Sequence, residues 1–160
     1  MGLPAFRVAQ MVEGGTPHVR EYTVAASPSV AFGIGDPVML NGTDDAVDGV
    51  ADDAAGPTIT GVLGIAMQPS AGNEGKKILV TVISPGTVLS AKLDDTWAAD
   101  MIGNHVSIAR AAGPPIVYTL ESTGVVTSVF KVVGRDNCDT DRALVTVLDA
   151  ISQFADVAAT

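Results

Sequence analysis

Two heptapeptides constrain this chain more than anything else in it. In Lys77-Ile78-Leu79-Val80-Thr81-Val82-Ile83, residues Ile78, Val80 and Val82 share one face. In Arg142-Ala143-Leu144-Val145-Thr146-Val147-Leu148, residues Val145 and Val147 oppose Leu144, Thr146 and Leu148. A two-residue period belongs to a strand, whose side chains alternate across the sheet. Further strand-like runs fall at 6–12, 18–24, 38–40, 58–67, 87–92, 106–109, 116–120 and 126–133, with Gly or Pro at nearly every break. Val, Ile and Thr, which favour a pleated surface, supply 45 of the 160 residues. Short alternating strands punctuated by turn residues predict an all-β barrel or sandwich.

The turn residues add detail. Gly35-Asp36-Pro37 reads as a turn feeding a strand, with Pro37 at the first strand position, where a missing donor costs least. Ser84-Pro85-Gly86-Thr87 carries the Pro-Gly pair of a type II turn. Gly61 and Gly64 interrupt an apolar run and predict a bulge or a sharp bend. One short helix is expected, because Leu93, Trp97 and Met101 fall at i, i+4 and i+8. Asp94, Asp95 or Thr96 would cap its start and Gly103 would end it. Residues 43–56 hold Asp44, Asp45, Asp48, Asp52 and Asp53 without a base, and predict an exposed acidic loop.

Size and charge then exclude whole classes of function. A chain of 160 residues has room for one core. Its 18 acidic and 9 basic residues leave a net charge of −9. That balance argues against nucleic acid as a partner, since phosphates need a concentrated basic face. Isolated bases such as Arg7, Arg20, Lys76 and Lys77 read as surface residues. Apolar stretches run to about half a dozen residues, far from the roughly 20 that cross a bilayer, so no membrane partner is expected. The start of the chain lacks the pattern of a secretory signal, and Phe6 stands where a myristoylation motif needs Ser or Thr. Cys138 is the lone cysteine, which rules out an internal disulfide and a cysteine-built zinc site. Only 17% of residues are charged while mean hydropathy is +0.35. Apolar surface on such a chain suggests burial against another protein.

Motifs for chemistry are sparse. No Gly-x-Ser-x-Gly elbow occurs, and His18 and His105 have no patterned nucleophile. Gly72-Asn73-Glu74-Gly75-Lys76-Lys77 imitates the end of a phosphate loop. Ser70 occupies its first glycine position, however, and Lys77 its magnesium-binding hydroxyl. Asn137, Asp139 and Asp141 open like a calcium loop, yet Arg142 fills the glycine position. Carboxylates beside Cys138 raise its pKa and disfavour a thiolate. Asn41-Gly42-Thr43 reads as a turn. The expectation is a non-enzymatic protein without cofactor or metal.

Taken in order, Gly35-Asp36-Pro37-Val38, then Gly61-Val62-Leu63-Gly64-Ile65-Ala66, then Val80-Thr81-Val82-Ile83-Ser84-Pro85-Gly86-Thr87-Val88, the chain resembles the small head decoration (cement) proteins of tailed bacteriophages. Ala98-Ala99-Asp100-Met101-Ile102-Gly103-Asn104 and the closing 143–148 strand fit as well, so the likeness spans about residues 30–148. The resemblance implies a compact β-barrel or β-tulip domain. It implies a homo-oligomer, most often a trimer, that clamps neighbouring major capsid proteins on the outside of an expanded head. It implies no catalysis, and it places the protein on the virion surface after synthesis in the host cytoplasm.

The expected organisation is an N-terminal arm and first strand over 1–15, a barrel over 16–148 and a C-terminal tail over 149–160. Leu3, Pro4, Phe6, Ile151 and Phe154 are the candidate contacts to capsid or to another subunit, with completion of the chain's own barrel as the alternative for the same residues. Two other readings stand beside this one. A tail-tube or other minor virion subunit would form hexameric rings. A carbohydrate-binding β module would need exposed aromatics, and one Trp, two Tyr and four Phe are few for that role.

Overall fold

A computed structural model describes residues 4–11, 17–41, 46–53, 59–137 and 139–153. The protein is all-β. Its strands are β1 (Phe6–Met11), β2 (His18–Thr23), β3 (Pro37–Leu40), β4 (Val47–Gly49), β5 (Gly64–Ala66) and β6 (Lys77–Val82). They continue with β7 (Thr87–Lys92), β8 (His105–Ala111), β9 (Val117–Glu121), β10 (Phe130–Arg135) and β11 (Arg142–Val147). They form two antiparallel sheets. The first runs β1-β7-β11-β10-β8-β9 and the second β2-β6-β5-β3-β4.

Each sheet curls until its far strand meets the continuation of an earlier one. Leu93, just past β7, forms a parallel bridge to Leu120 of β9, and Val24, just past β2, forms one to Val47 of β4. The curl follows the inward residues. Ile78, Val80 and Val82 line the second sheet's interior with Val24, Phe32, Val38, Val47 and Leu63. The larger core lies inside the first sheet, where Phe6, Leu89, Ile108, Leu120, Phe130 and Val145 pack together. Phe6 and Phe130 stack at a 33° tilt with centroids 5.6 Å apart. Ile59, Val62, Ile65 and Ile83 join this core and lock the two sheets together.

Glycine matters where backbones touch. A Cβ on Gly64 would stand 2.2 Å from the Thr81 carbonyl oxygen, so β5 lies against β6 only because that atom is missing. Gly35 has φ +82° and turns the chain into Pro37, the first residue of β3.

Several sequence expectations need correction. The Ser84–Thr87 turn exists, with the Thr87 amide donating to the Ser84 carbonyl at 2.9 Å. It does not close a hairpin, because β6 and β7 belong to different sheets; it is the corner between them. Gly86 lacks a positive φ, so the turn is not type II. Among the described residues of the 58–67 run, β5 is the strand, and Val62 adds an isolated parallel bridge to Ser152. The expected helix is a single 3₁₀ turn at Ala99–Met101. Leu93 nevertheless lies in the core, with Trp97 and Met101 packed against it. The inward spacing was legible, but an extended approach delivers it, and Gly103 ends the turn at φ +89°.

The acidic stretch departs furthest from expectation. Residues 42–45 and 54–58 lie outside the described residues, but 46–50 are buried and contain β4. Val47 and Val50 are fully buried. Asp48 is buried because its carboxylate accepts the amides of Ser29, Val30 and Gly49, each at 2.9 Å. Asp53 accepts those of Val126 at 2.6 Å and Thr127 at 2.9 Å. Both aspartates are staples that replace water around loop backbones, the condition under which a carboxylate can be buried.

Candidate functional site

Three of the five candidate contact residues lie among the described residues, and all three belong to this chain's own packing. Phe6 is 1% exposed and sits in the core, so it is no outer contact. Pro4 packs on Gly35, where an added Cβ would come within 2.4 Å of the proline Cβ. Ile151 is half-buried against the larger core. Leu3 and Phe154 lie outside the described residues.

The N-terminal segment is held by a buried polar network. Arg142, the first residue of β11, donates to the carbonyl of Pro4 at 2.9 Å and to that of Ala5 at 3.3 Å. It also donates to Ser90 Oγ and to the Ser90 carbonyl, both at 2.8 Å. The Ser90 hydroxyl donates to Asp136, which pairs with Arg7 at 2.8 Å. Burial, and then the neighbouring Arg7 charge, push the Arg142 guanidinium below its usual range, against the pull of Asp136 and Asp139. Arg7 is thereby committed to an internal pair rather than standing as an isolated surface base.

The C-terminal segment is clasped in a comparable way. The Val62 amide donates to the Ile151 carbonyl at 2.9 Å, and Gln153 returns a bond to Val62 at 3.1 Å. The Gln153 amide side chain then takes both backbone groups of Leu40, accepting at 2.7 Å and donating at 3.1 Å. It serves as a substitute strand partner at the β3 edge. Gly61 makes room for it, since a Cβ there would meet the Gln153 side chain at 2.5 Å. Over residues 4–6 and 151–153, the expected arms are parts of the domain.

Apolar surface appears elsewhere. On the outward face of the second sheet, Val19 stands opposite Thr81 and Leu79 opposite Glu21, while the Met67 amide donates to the Leu79 carbonyl. Val19, Met67 and Leu79 are 47%, 43% and 40% exposed. Beside them a groove of about 330 Å³ opens between β1 and the second sheet, walled by Val8, Pro17 and Val19 and floored by Phe6 and Ile65. This face is the candidate docking surface. Sequence reasoning missed it, although the signal was present: in β6 the alternation places Leu79 opposite the inward set.

A second concavity, of about 600 Å³, lies where β3 and β4 face β8. Val30, Met39, Ala51 and Ala112 give it apolar walls, and Asp48, Asp52 and Arg110 are its charged members. Arg110 stands over the Tyr118 ring at 5.7 Å from its centroid and donates to the Ala31 carbonyl at 2.8 Å. The Tyr118 hydroxyl donates to the Val50 carbonyl at 2.6 Å, and burial pushes its pKa upward. Nearby, Asp36 accepts the Gly33 amide at 2.6 Å, and burial raises its carboxyl above the usual range.

His18 and His105 are exposed at the first positions of β2 and β8. Lys76 and Lys77 are exposed at the end of the β5–β6 loop. There Lys76 donates to the Gly72 carbonyl and Lys77 approaches Glu21 at 3.9 Å. Among the described residues, no three His, Cys, Asp or Glu side chains are grouped to hold a metal ion, and no helix is long and apolar enough to cross a membrane.

These features define an all-β protein of two curled antiparallel sheets with both described ends fastened to the domain. No family model, no curated protein and no solved structure matches the chain.

Proposed function

We propose that this chain is a decoration protein of a tailed-phage head. It docks on the outside of the expanded capsid and clamps neighbouring major capsid proteins against the pressure of packaged DNA. The order of Gly- and Pro-punctuated strands supports the reading. The observation that carries it is the set of exposed apolar side chains Val19, Met67 and Leu79 on the second sheet, with Val19 also lining a groove. A surface of that kind on a charge-poor chain is suited to a protein partner.

The mechanism is additive. One face of this size gives a modest contact, but a trimer engaging three equivalent sites gains roughly 10²–10⁴-fold in avidity. The clasped segments 4–6 and 151–153 favour this action, because groups already fixed in the domain lose little conformational freedom on docking. Preference for the expanded head follows if only that lattice spaces the three sites to match the trimer, since a ligand shifts or selects the state it binds better.

The test is co-sedimentation with stripped heads of the parent phage, expanded and unexpanded, using the wild-type protein and Leu79→Asp. Saturable binding of wild type to expanded heads, weakened at least tenfold by Leu79→Asp, is the expected result. Absence of binding to either head form, or assembly into hexameric rings, overturns the reading.

A further inference from the structure

A pocket of about 280 Å³ opens where the turn into β3, the end of β7 and the start of β9 meet. It shares no lining residue with the groove of the proposed docking face. Its volume falls just short of the roughly 300–1,000 Å³ of drug-sized sites, so it suits a smaller molecule. Ile34, Ile116 and Val117 give it an apolar side. Ile34 and Val117 are 66% and 41% exposed, so solvent meets apolar surface here.

Asp36 supplies an anion inside the pocket. The residue is only 5% exposed, yet it lines the space. Its Oδ2 accepts the Gly33 amide at 2.6 Å, while Oδ1 accepts no hydrogen bond among the described residues. No ion pair among those residues includes it, and Arg110 acts on it only from beyond ion-pair distance. Burial outweighs both the Gly33 bond and the Arg110 charge, and holds the carboxyl above its usual value. A carboxylate this buried with a single donor calls for another.

Lys92, the last residue of β7, supplies the opposite charge. It is exposed, lines the same pocket and forms no ion pair among the described residues. Its ammonium rides on a flexible four-carbon stem that swings over the mouth. The Tyr118 hydroxyl is already committed to the Val50 carbonyl, which leaves Asp36 and Lys92 as the groups free to bind. A simple amine would satisfy the first and be repelled by the second. A simple carboxylic acid would do the reverse. A small molecule with both charges and an apolar branch satisfies all three sides.

We propose that this pocket binds a free α-amino acid with an aliphatic side chain. Its ammonium meets Asp36 Oδ1, its carboxylate meets Lys92, and its side chain lies against Ile34, Ile116 and Val117. Each charged end forms a charge-assisted hydrogen bond, the stronger kind. The proposal does not depend on the capsid role.

The experiment is an amide ¹H–¹⁵N NMR titration of the full-length protein with three probes. These are L-leucine, 3-methylbutylamine, which lacks the carboxylate, and 4-methylpentanoate, which lacks the ammonium. L-leucine is expected to move the Ile34, Asp36 and Val117 amides saturably, with roughly millimolar affinity. Each half-probe should bind about tenfold more weakly or worse, for want of one charge-assisted bond. Lys92→Met, a change at an exposed residue, should weaken L-leucine about tenfold and leave the amine no weaker. Asp36→Asn keeps an acceptor for the Gly33 amide and should abolish binding of both L-leucine and the amine. Should it disturb the fold, Lys92→Met and the probe comparison decide alone. No saturable shift with L-leucine overturns the proposal. So does an amine that binds as tightly as L-leucine, or a Lys92→Met protein that binds L-leucine like wild type.

Discussion

The guanidinium of Arg142 donates to the carbonyl of Pro4, 138 positions earlier in the chain. That bond, with its neighbours to Ala5 and Ser90, fastens the N-terminal segment to β11 and β7. Arg142 is 2% exposed, and its charge is answered by the Ser90–Asp136–Arg7 chain of contacts. Breaking such a group by removing one member is more damaging than its net worth, because the partners stay buried and unmatched. Arg142→Ala is expected to cost about 3–5 kcal/mol. Arg142→Lys keeps the charge but loses the fork geometry, and should fall between the two. Urea unfolding midpoints measure this, and an Arg142→Ala protein within 1 kcal/mol of wild type would refute the clamp.

Gly64 offers a cleaner steric test. Its missing Cβ lets the Thr81 carbonyl approach to a distance no side chain tolerates, and that oxygen is fixed in β6. Gly64→Ala is expected to destabilise the protein by at least the roughly 1–3 kcal/mol typical of overpacking. Gly72→Ala is the informative comparison, since nothing lies within 4 Å of its Cβ position and only its φ of +78° resists substitution. If thermal unfolding ranks Gly72→Ala as the more harmful of the two, close approach is not what fixes Gly64.

The contrast between Leu79 and Asp48 shows which parts of this molecule the sequence revealed. Alternation in 77–83 and 142–148 grouped Ile78, Val80 and Val82 on one face and set Val145 and Val147 against Leu144, Thr146 and Leu148; the structure buries the first three and both valines. A strand's period is local, so it survives reading without a structure. Asp48 is different: its burial rests on amides at Ser29 and Val30, far away in sequence. Five aspartates among small residues gave no local hint of those donors, and β4 went unseen. The same holds for the Ser84–Thr87 turn. Its hydrogen bond is local and was legible; whether the next strand joins the same sheet depends on long-range packing. For the candidate contacts near both ends the sequence left outer contact and completion of the chain's own barrel both open, and only the fold reveals Arg142 beneath Pro4 and Gln153 across Leu40.

Asp48 yields a prediction of its own. Its carboxylate holds the amides of Ser29 and Val30 in the β2–β3 loop and of Gly49 beside it in β4, and a hydrogen bond to a charged group is worth about 1.5–3 kcal/mol. Asp48→Ala is therefore expected to destabilise by about 2–4 kcal/mol, allowing for partial resolvation of the amides. Asp149, exposed on the surface, supplies the control, and Asp149→Asn should stay within about 0.5 kcal/mol of wild type. Amide hydrogen exchange reads the mechanism directly: protection at Ser29 and Val30 should fall in Asp48→Ala before global unfolding. Equal stability losses in the two variants would show that Asp48 is merely one more surface acid.

Glu121 links the acidic segment to pH. Partial burial first, and then the charges of Asp53, Asp52 and Asp94, hold its carboxyl above the usual value. A carboxyl with a raised pKa binds its proton more tightly in the folded state than in the unfolded one. Its contribution therefore favours folding at low pH and is lost as pH rises from the unfolded value, about 4.3, through the folded one. Glu121→Gln removes the ionisation and with it the penalty. The variant should match wild type near pH 3 and exceed it at neutral pH. The gain should be on the order of a few tenths of a kcal/mol, because solvent screens a partly exposed group. Added salt should shrink the difference, since the repulsion from the three aspartates is screened over about 10 Å at 0.1 M. Denaturant midpoints for both proteins across pH 3 to 7 measure the effect. A Glu121→Gln protein whose advantage is the same at pH 3 as at pH 7 would show that packing, not charge, separates it from wild type.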